Sequence, residues 1–156
     1  MKGTGVKMNI SEELIKQIVQ TTISEMVKEQ GGFSISEEKE KDPSGIILIK
    51  SDKVKCEPFA GAKGVTLKDI VTLEEAPRMG AGIMELDHTS FEWTLTYDEY
   101  DMVIDGELEI EIDGRVVVGR PNDIIYIPKG SHIHFQTKST ARYAYFVYPA
   151  DWQSQS

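Results

Sequence analysis

The sequence lacks the features that would place it outside a reducing compartment or inside a membrane. It has one cysteine in 156 residues, so Cys56 has no partner for a disulfide within the chain. Disulfide-free sequences are typical of proteins that fold in a reducing cytoplasm. No apolar run approaches the roughly 20 residues that a membrane-spanning helix needs. We therefore expect a soluble cytoplasmic protein.

Positive charge is also scarce. Lys and Arg number 17 against 26 Asp and Glu, which gives a formal net charge of −9. A surface this acidic repels phosphate backbones and anionic lipids, so we expect neither nucleic acid nor membrane as a partner. The chain is long enough for one domain with its own core, and 40% of its residues are hydrophobic.

The apolar residues between Asn9 and Gln30 recur at the spacing of an amphipathic helix. Asn9 is a good residue for capping the first turn, and Gly31-Gly32 would end the helix. We predict a helix over Asn9–Gln30 within an N-terminal region of residues 1–33. Its apolar stripe either packs on the rest of the protein, in the same or a neighbouring copy, or docks in a groove of another protein.

The remainder of the chain divides into a charged segment and a strand-rich body. Residues 34–44 contain almost no apolar side chains, which predicts a mobile linker. Residues 45–153 contain many short β-branched and aromatic runs separated by turn signals such as Asp113-Gly114. This pattern predicts an all-β sandwich or double-sheet jelly-roll barrel. The predicted strands are Ile46–Lys50, Ala81–Leu86, Glu92–Leu95, Tyr100–Ile104, Glu107–Ile112, Arg115–Val118, Ile124–Ile127, His132–Gln136 and Arg142–Tyr148.

Two segments of the body resemble the two sequence motifs of the cupin superfamily. The first runs from Tyr97 to Ile110 and has Glu99 seven positions before Gly106. The second runs from Asn122 to His134, with Pro128 and Gly130 at its turn. More narrowly, the segments MELDHTSFEWTLTYDEYDMVIDGELEI, IPKGSHIHF and YPADWQ resemble the EutQ family of ethanolamine-utilization proteins. The resemblance covers about residues 45–153 and implies an RmlC-like cupin barrel.

The same resemblance implies a function that composition and periodicity do not reach. It implies acetate kinase activity, which interconverts acetyl phosphate plus ADP with acetate plus ATP, using Mg²⁺ with the nucleotide. It also implies association with a bacterial microcompartment, where Asn9–Gln30 would meet a shell or core protein. Cupin bodies commonly pair, so we expect a homodimer. The alternative is a non-catalytic cupin that binds a small metabolite or has a structural role, since the sequence has no known phosphate-binding loop.

Metal-binding cupins take ligands from a His-x-His pair, the motif glutamate and a later histidine. Here the pair falls on Trp93 and Leu95, or on Glu92 and Thr94 under the other common spacing, and the later position is Ile133. Because these positions supply no imidazole, we expect no tightly bound iron or zinc.

A carboxylate pair is the main candidate for the site. A regular strand places Tyr97, Glu99 and Asp101 on one face, and the cupin motif points Glu99 into the barrel. Two neighbouring carboxylates inside a barrel need a cation or a donor partner. Glu99 and Asp101 are therefore predicted to bind Mg²⁺ weakly, together with phosphate oxygens, with Tyr97 beside them. The alternative is an internal hydrogen-bond network in which one carboxyl keeps a proton.

Five further residues have weaker cases. His132 and His134 share one strand face and are candidate catalytic residues; the alternative is a pair on a solvated or interfacial face. Trp93 and Tyr126 could bind substrate or simply pack the barrel. Lys129 lies in a Pro-Lys-Gly turn, where it could bind a phosphate or remain exposed.

Overall fold

A computed structural model describes residues 15–19 and 34–154 of the chain. The chain divides into two compact units, residues 1–53 and 54–156. In the first unit residues 15–19 are helical, and Ile15, Ile18 and Val19 are each about half exposed. The remainder of the predicted helix Asn9–Gln30 lies outside the described residues. Within the described residues no helix has both the length and the apolar character needed to cross a membrane.

The first unit also contains a small antiparallel sheet, in the order β1 (Ser34–Ile35), β2 (Lys39–Lys41) and β3 (Ile47–Ile49). A 3₁₀ turn over Ser51–Lys53 follows it. The sequence predicts a mobile linker over residues 34–44, whereas residues 34–35 and 39–41 of this segment form strands. The charged strand β2 pairs through its backbone with the apolar strand β3, and the Ser36 hydroxyl oxygen accepts a hydrogen bond from the Lys39 amide at 3.0 Å.

The second unit is an antiparallel barrel, which confirms the all-β, double-sheet prediction. Its main sheet has the strand order β10-β7-β11-β6-β5-β4, and β8 pairs with both β11 and β9. The strands are β4 (Glu57–Pro58), β5 (Val65–Asp69), β6 (Gly80–Thr94), β7 (Asp98–Gly106), β8 (Leu108–Ile112), β9 (Arg115–Gly119), β10 (Ile124–Ile127) and β11 (His132–Tyr148). A 3₁₀ turn, Trp152–Ser154, follows the last strand.

Two strands of the barrel are longer than the sequence predicts. The sequence predicts separate strands over Ala81–Leu86 and Glu92–Leu95, but both belong to β6. Likewise β11 combines the two predicted strands His132–Gln136 and Arg142–Tyr148. The polar residues between them form a register shift rather than a break, between Thr137 and Thr140.

The predicted apolar positions of β8 lie in the core, but the strand does not alternate cleanly. Leu108 and Ile110 are buried, and so is the intervening Glu109. The Asp113-Gly114 turn connects β8 to β9 with positive φ at both residues. The core cluster fills the inside of the barrel. It comprises Val65, Leu86, Leu95, Tyr97, Val103, Leu108, Ile110, Ile127, Ile133, Phe135, Ala141, Tyr143, Tyr145 and Val147.

Candidate functional site in the barrel interior

The inner face of β7 carries the predicted carboxylate pair. Glu99 and Asp101 are buried, whereas the intervening Tyr100 and the following Met102 are exposed. Strand β11 runs beside β7 in antiparallel register, with Val147 opposite Glu99 and Tyr145 opposite Asp101. Directly opposite residues of an antiparallel pair share a face, so these four side chains meet inside the barrel.

The two carboxyl groups occupy an environment that disfavours their charge. Asp101 is 0% exposed and Glu99 is 5% exposed. Neither oxygen of Asp101 accepts a hydrogen bond from a donor group among the described residues. The side chain of Asp101 does interact with the Glu99 carboxyl through a hydrogen bond, which one of the two carboxyls donates when it carries a proton. Burial raises the pKa of Glu99 to about 7. Burial, and then the charge of Glu99, raise the pKa of Asp101 well above its usual value, so the pair retains a proton at neutral pH.

An aromatic pocket with a volume of about 30 Å³ lies against Glu99. The Trp93 Nε1 group donates a hydrogen bond to the Tyr97 hydroxyl oxygen at 2.8 Å, and this hydroxyl also interacts with the Glu99 carboxyl. The Trp152 ring packs on both, with its centroid 5.9 Å from Trp93 and 5.3 Å from Tyr97. None of the lining residues is a Lys, Arg or His. They are Phe59, Leu67, Met84, Phe91, Trp93, Tyr97, Glu99, Phe135, Tyr145, Val147 and Trp152.

The pocket includes residues that sequence reasoning missed. Tyr145 lies opposite Asp101, and its hydroxyl donates a hydrogen bond to Asp69 Oδ1 at 2.6 Å. Trp152 comes from the turn after β11. The alternation of residues 143–147 could have placed Tyr145 inside the barrel, but its contact with Asp69 depends on a strand order that the sequence does not reveal.

The two histidines lie on the outer face, away from the carboxylate pair. The Nε2 atom of His132 is 2.7 Å from Glu92 Oε1, and the His134 Nδ1 atom is 2.8 Å from Glu111 Oε2. Between them Ile133 points inward and is buried. Their location on the outer face agrees with the alternative of a pair on a solvated or interfacial face.

Of the three predicted substrate-binding residues, only Trp93 lines the pocket. Tyr126 is half exposed on the outer face, where its hydroxyl donates a hydrogen bond to Asp98 Oδ1 at 2.9 Å. The Lys129 amide donates to the same Asp98 oxygen, and the side chain of Lys129 lies in an exposed turn. The structure thus brings together Glu99, Asp101, Tyr97 and Trp93.

The donor set at the pocket fits a small hard cation better than a transition metal. Across residues 15–19 and 34–154 there is no cluster of three or more His, Cys, Asp or Glu side chains that could hold a metal ion. Mg²⁺, however, is commonly held by one or two carboxylates with water completing its coordination. Glu99 and Asp101 would supply such a pair once Mg²⁺ had displaced the proton that they retain.

Known proteins resemble this chain over nearly its whole length. The family model of the ethanolamine utilisation protein EutQ matches residues 10–154. A Clostridioides difficile (strain 630) protein named acetate kinase EutQ is 43% identical over 162 aligned residues, which cover 100% of both chains. A protein of the same name from Escherichia coli (strain K12) is 37% identical over 92% of this chain and 63% of its own length, so this chain spans less than two-thirds of that relative.

A solved structure, that of the Clostridium difficile EutQ protein, matches the fold. Its TM-score is 0.72 and its sequence identity is 49%, over 76% of this chain and 90% of that chain. Together, the family match over residues 10–154 and the full-length identity of 43% show that this chain belongs to the EutQ family of ethanolamine utilisation proteins.

Proposed function

We propose that this chain is an acetate kinase that transfers a phosphoryl group between acetyl phosphate and ADP, giving acetate and ATP, at the pocket inside its barrel. Two relatives carry the name acetate kinase EutQ: one matches over the full length of both chains, and the other over 92% of this chain and 63% of its own length. The observation that carries the proposal is the buried pair Glu99 and Asp101, of which Glu99 lines the pocket. Burial is the main cause that raises the pKa of both carboxyls, and strongly perturbed titratable groups beside a pocket are typical of functional sites.

The small volume of the pocket indicates that the acyl end of the substrate would bind there. Sites for drug-sized ligands are typically about 300–1,000 Å³. A pocket of about 30 Å³ therefore has no room for a nucleotide and admits only a very small organic group. Acetate or the acetyl end of acetyl phosphate would enter, and the nucleotide would remain outside the barrel.

The chain's own residues would orient the substrate. Trp93 holds the Tyr97 hydroxyl through its Nε1 hydrogen bond, which fixes this hydroxyl beside Glu99. Because burial raises the pKa of Glu99 to about 7, this carboxyl would donate a hydrogen bond to the acetate carboxylate when it is protonated. Mg²⁺ held by Glu99 and Asp101, when bound, would supply charge neutralisation for phosphoryl oxygens.

The proposal is tested by assaying the purified protein with acetate, ATP and Mg²⁺ and measuring ADP release. Glu99→Gln and Asp101→Asn should each lower turnover by about 100-fold or more, since they remove charge stabilisation at the reacting group. The matched control is Glu109→Gln. Glu109 is also 5% exposed, but it lies outside the pocket and accepts a hydrogen bond from Gln136 Nε2 at 2.8 Å. Turnover of this control should remain within about twofold of wild type.

Two outcomes would count against the proposal in different ways. Full turnover in folded Glu99→Gln would show that the site assignment is wrong. Absence of turnover in the wild type would favour the second candidate, a non-catalytic cupin that binds a small metabolite. The small volume and the lack of cationic side chains in the pocket lining favour that candidate. Acetate would then raise the melting temperature of the wild type but not that of Glu99→Gln.

We propose that Asn9–Gln30 recruits the protein to a bacterial microcompartment. The amphipathic pattern of the segment and the half-exposed side chains of helical residues 15–19 support this role. Ile18→Glu combined with Ile23→Glu should abolish recruitment of a fluorescent fusion and leave the melting temperature of the barrel nearly unchanged. A loss of many degrees would instead make the helix part of the fold. The homodimer also stays a prediction, which a sedimentation mass near that of one chain would contradict.

A further inference from the structure

Three neighbouring strands bring Asp69, Gly82 and Tyr145 into one line across the barrel wall. Gly82 of β6 pairs with Tyr145 of β11 on one side and with Asp69 of β5 on the other. Asp101 of β7 lies opposite Tyr145 and continues the same line. The register therefore connects the carboxylate pair to an exposed acid two strands beyond Tyr145.

Gly82 allows the Tyr145 ring to lie flat across β6. A Cβ atom at position 82 would collide with Cζ and Oη of Tyr145, so any residue larger than glycine would push the ring away. The hydroxyl passes over Gly82 and donates a hydrogen bond to Asp69 Oδ1 at 2.6 Å. The ring is 5% exposed and lines the pocket together with Glu99.

We infer that Tyr145, seated on Gly82 and anchored by Asp69, is the specificity-determining wall that limits the acyl group in the pocket to two carbons. This inference rests on the proposed acetate kinase function. The pocket is small, about 30 Å³, and Tyr145 forms part of its lining, so an acyl group longer than acetyl would press on this ring. The ring cannot move toward β6, because the Gly82 backbone lies beneath it, and the hydrogen bond to Asp69 keeps it from rotating.

Asp69 makes this wall testable without a change inside the pocket. Asp69 is exposed and does not line the pocket, yet it holds the end of the Tyr145 side chain. Asp69→Ala removes the acceptor and should loosen the ring. Asp69→Asn keeps an acceptor oxygen at the same position and should retain the wall.

The experiment compares kcat/KM for acetate, propionate and butyrate in the wild type, Asp69→Ala, Asp69→Asn and Tyr145→Phe. One methylene in a fitted pocket changes kcat/KM by about 10- to 200-fold. We expect the wild type and Asp69→Asn to prefer acetate over propionate by at least about tenfold. Asp69→Ala and Tyr145→Phe should reduce this preference to about threefold or less, mainly through better use of propionate.

Calorimetric dissociation constants for acetate and propionate on the same four proteins separate this inference from the proposed function. The wild type could show no turnover and still bind acetate more tightly than propionate. If Asp69→Ala then loses this selectivity, the inference about Tyr145 is supported and the acetate kinase proposal is wrong. If the wild type uses acetate and propionate equally, the inference is overturned while the kinase proposal survives. An unchanged preference in both Asp69→Ala and Tyr145→Phe would also overturn it. If the wild type neither turns over nor binds either acid, both are wrong.

Discussion

The inner and outer faces of the same barrel strands contain similar polar residues in opposite situations. On the outer face of β11, His132 and His134 each contact a carboxylate on a neighbouring strand, at 2.7 Å and 2.8 Å. On the inner face of β7, Asp101 is fully buried. Among the described residues it accepts no hydrogen bond from a donor group, and the buried Glu99 carboxyl is the only acidic or basic side chain that perturbs its pKa. Because alternate residues of a strand point to opposite faces, each strand presents one solvated surface and one surface inside the barrel.

The polar side chains of the two faces make different contributions to the free energy of unfolding. Exposed ion pairs contribute about 0–1 kcal/mol to stability, and the His132–Glu92 pair is about 60% exposed on each side. An unsatisfied buried polar group instead costs about 1–3 kcal/mol. The outer residues are therefore nearly neutral for the fold, whereas the inner carboxyls destabilise it and need another explanation, which the proposed site supplies.

The largest expected effect on stability concerns pH and the inner face. Burial raises the pKa of Glu99 to about 7, above its usual value near 4.5, so the folded state binds more protons than the unfolded state between these pH values. The free energy of unfolding should therefore fall as pH rises from about 4.5 to 7, by on the order of 3 kcal/mol from this group. Glu99→Gln removes the titration, so urea unfolding should show this variant gaining on the wild type between pH 5 and pH 8.

This prediction is contradicted if the free energy of unfolding changes with pH in the same way in the wild type and in Glu99→Gln. That result would mean that Glu99 ionises in the folded state as easily as in water, and that the inner face is not the charge-disfavouring environment described above. Asp101→Asn provides a second measurement, since burial and the charge of Glu99 raise the pKa of Asp101 in the same direction.

The smallest expected effect belongs to the outer face. His132→Gln and His134→Gln each remove one exposed contact, so the free energy of unfolding should change by less than about 1 kcal/mol. Acetate kinase turnover should stay within about twofold of wild type, because neither side chain reaches the pocket. A large loss of turnover in either variant would show that the outer face also contributes to activity, which would contradict this prediction.

The sequence predicts which side chains of β7 point into the barrel, because strand alternation and the cupin motif together specify them. The period of two places Tyr97, Glu99 and Asp101 together, and the structure confirms that all three are buried. The sequence alone did not predict β1 and β2, because β1 is only two residues long and the charged side chains of β2 remain partly exposed, so that only the backbones pair. The polar stretches inside β6 and β11 resemble turns, yet the two strands stay paired across a register shift.

The contact between Tyr145 and Asp69 could not be predicted from the sequence, for a different reason. The two residues are 76 positions apart and meet only because β6 lies between their strands and has a glycine at the crossing point. A glycine in a strand indicates a close approach of some group, but it does not identify which side chain approaches.

Site-specific carboxyl ¹³C NMR of Glu99 and Asp101 tests the functional inner face most directly. Spectra recorded from pH 4 to pH 9, with and without Mg²⁺ and acetyl phosphate, would follow both groups in the intact protein. We predict that Glu99 titrates near pH 7, that the pKa of Asp101 lies well above its usual value, and that both signals shift when Mg²⁺ and acetyl phosphate are added together. Titration of both carboxyls near pH 4, with no response to these ligands, would contradict the account.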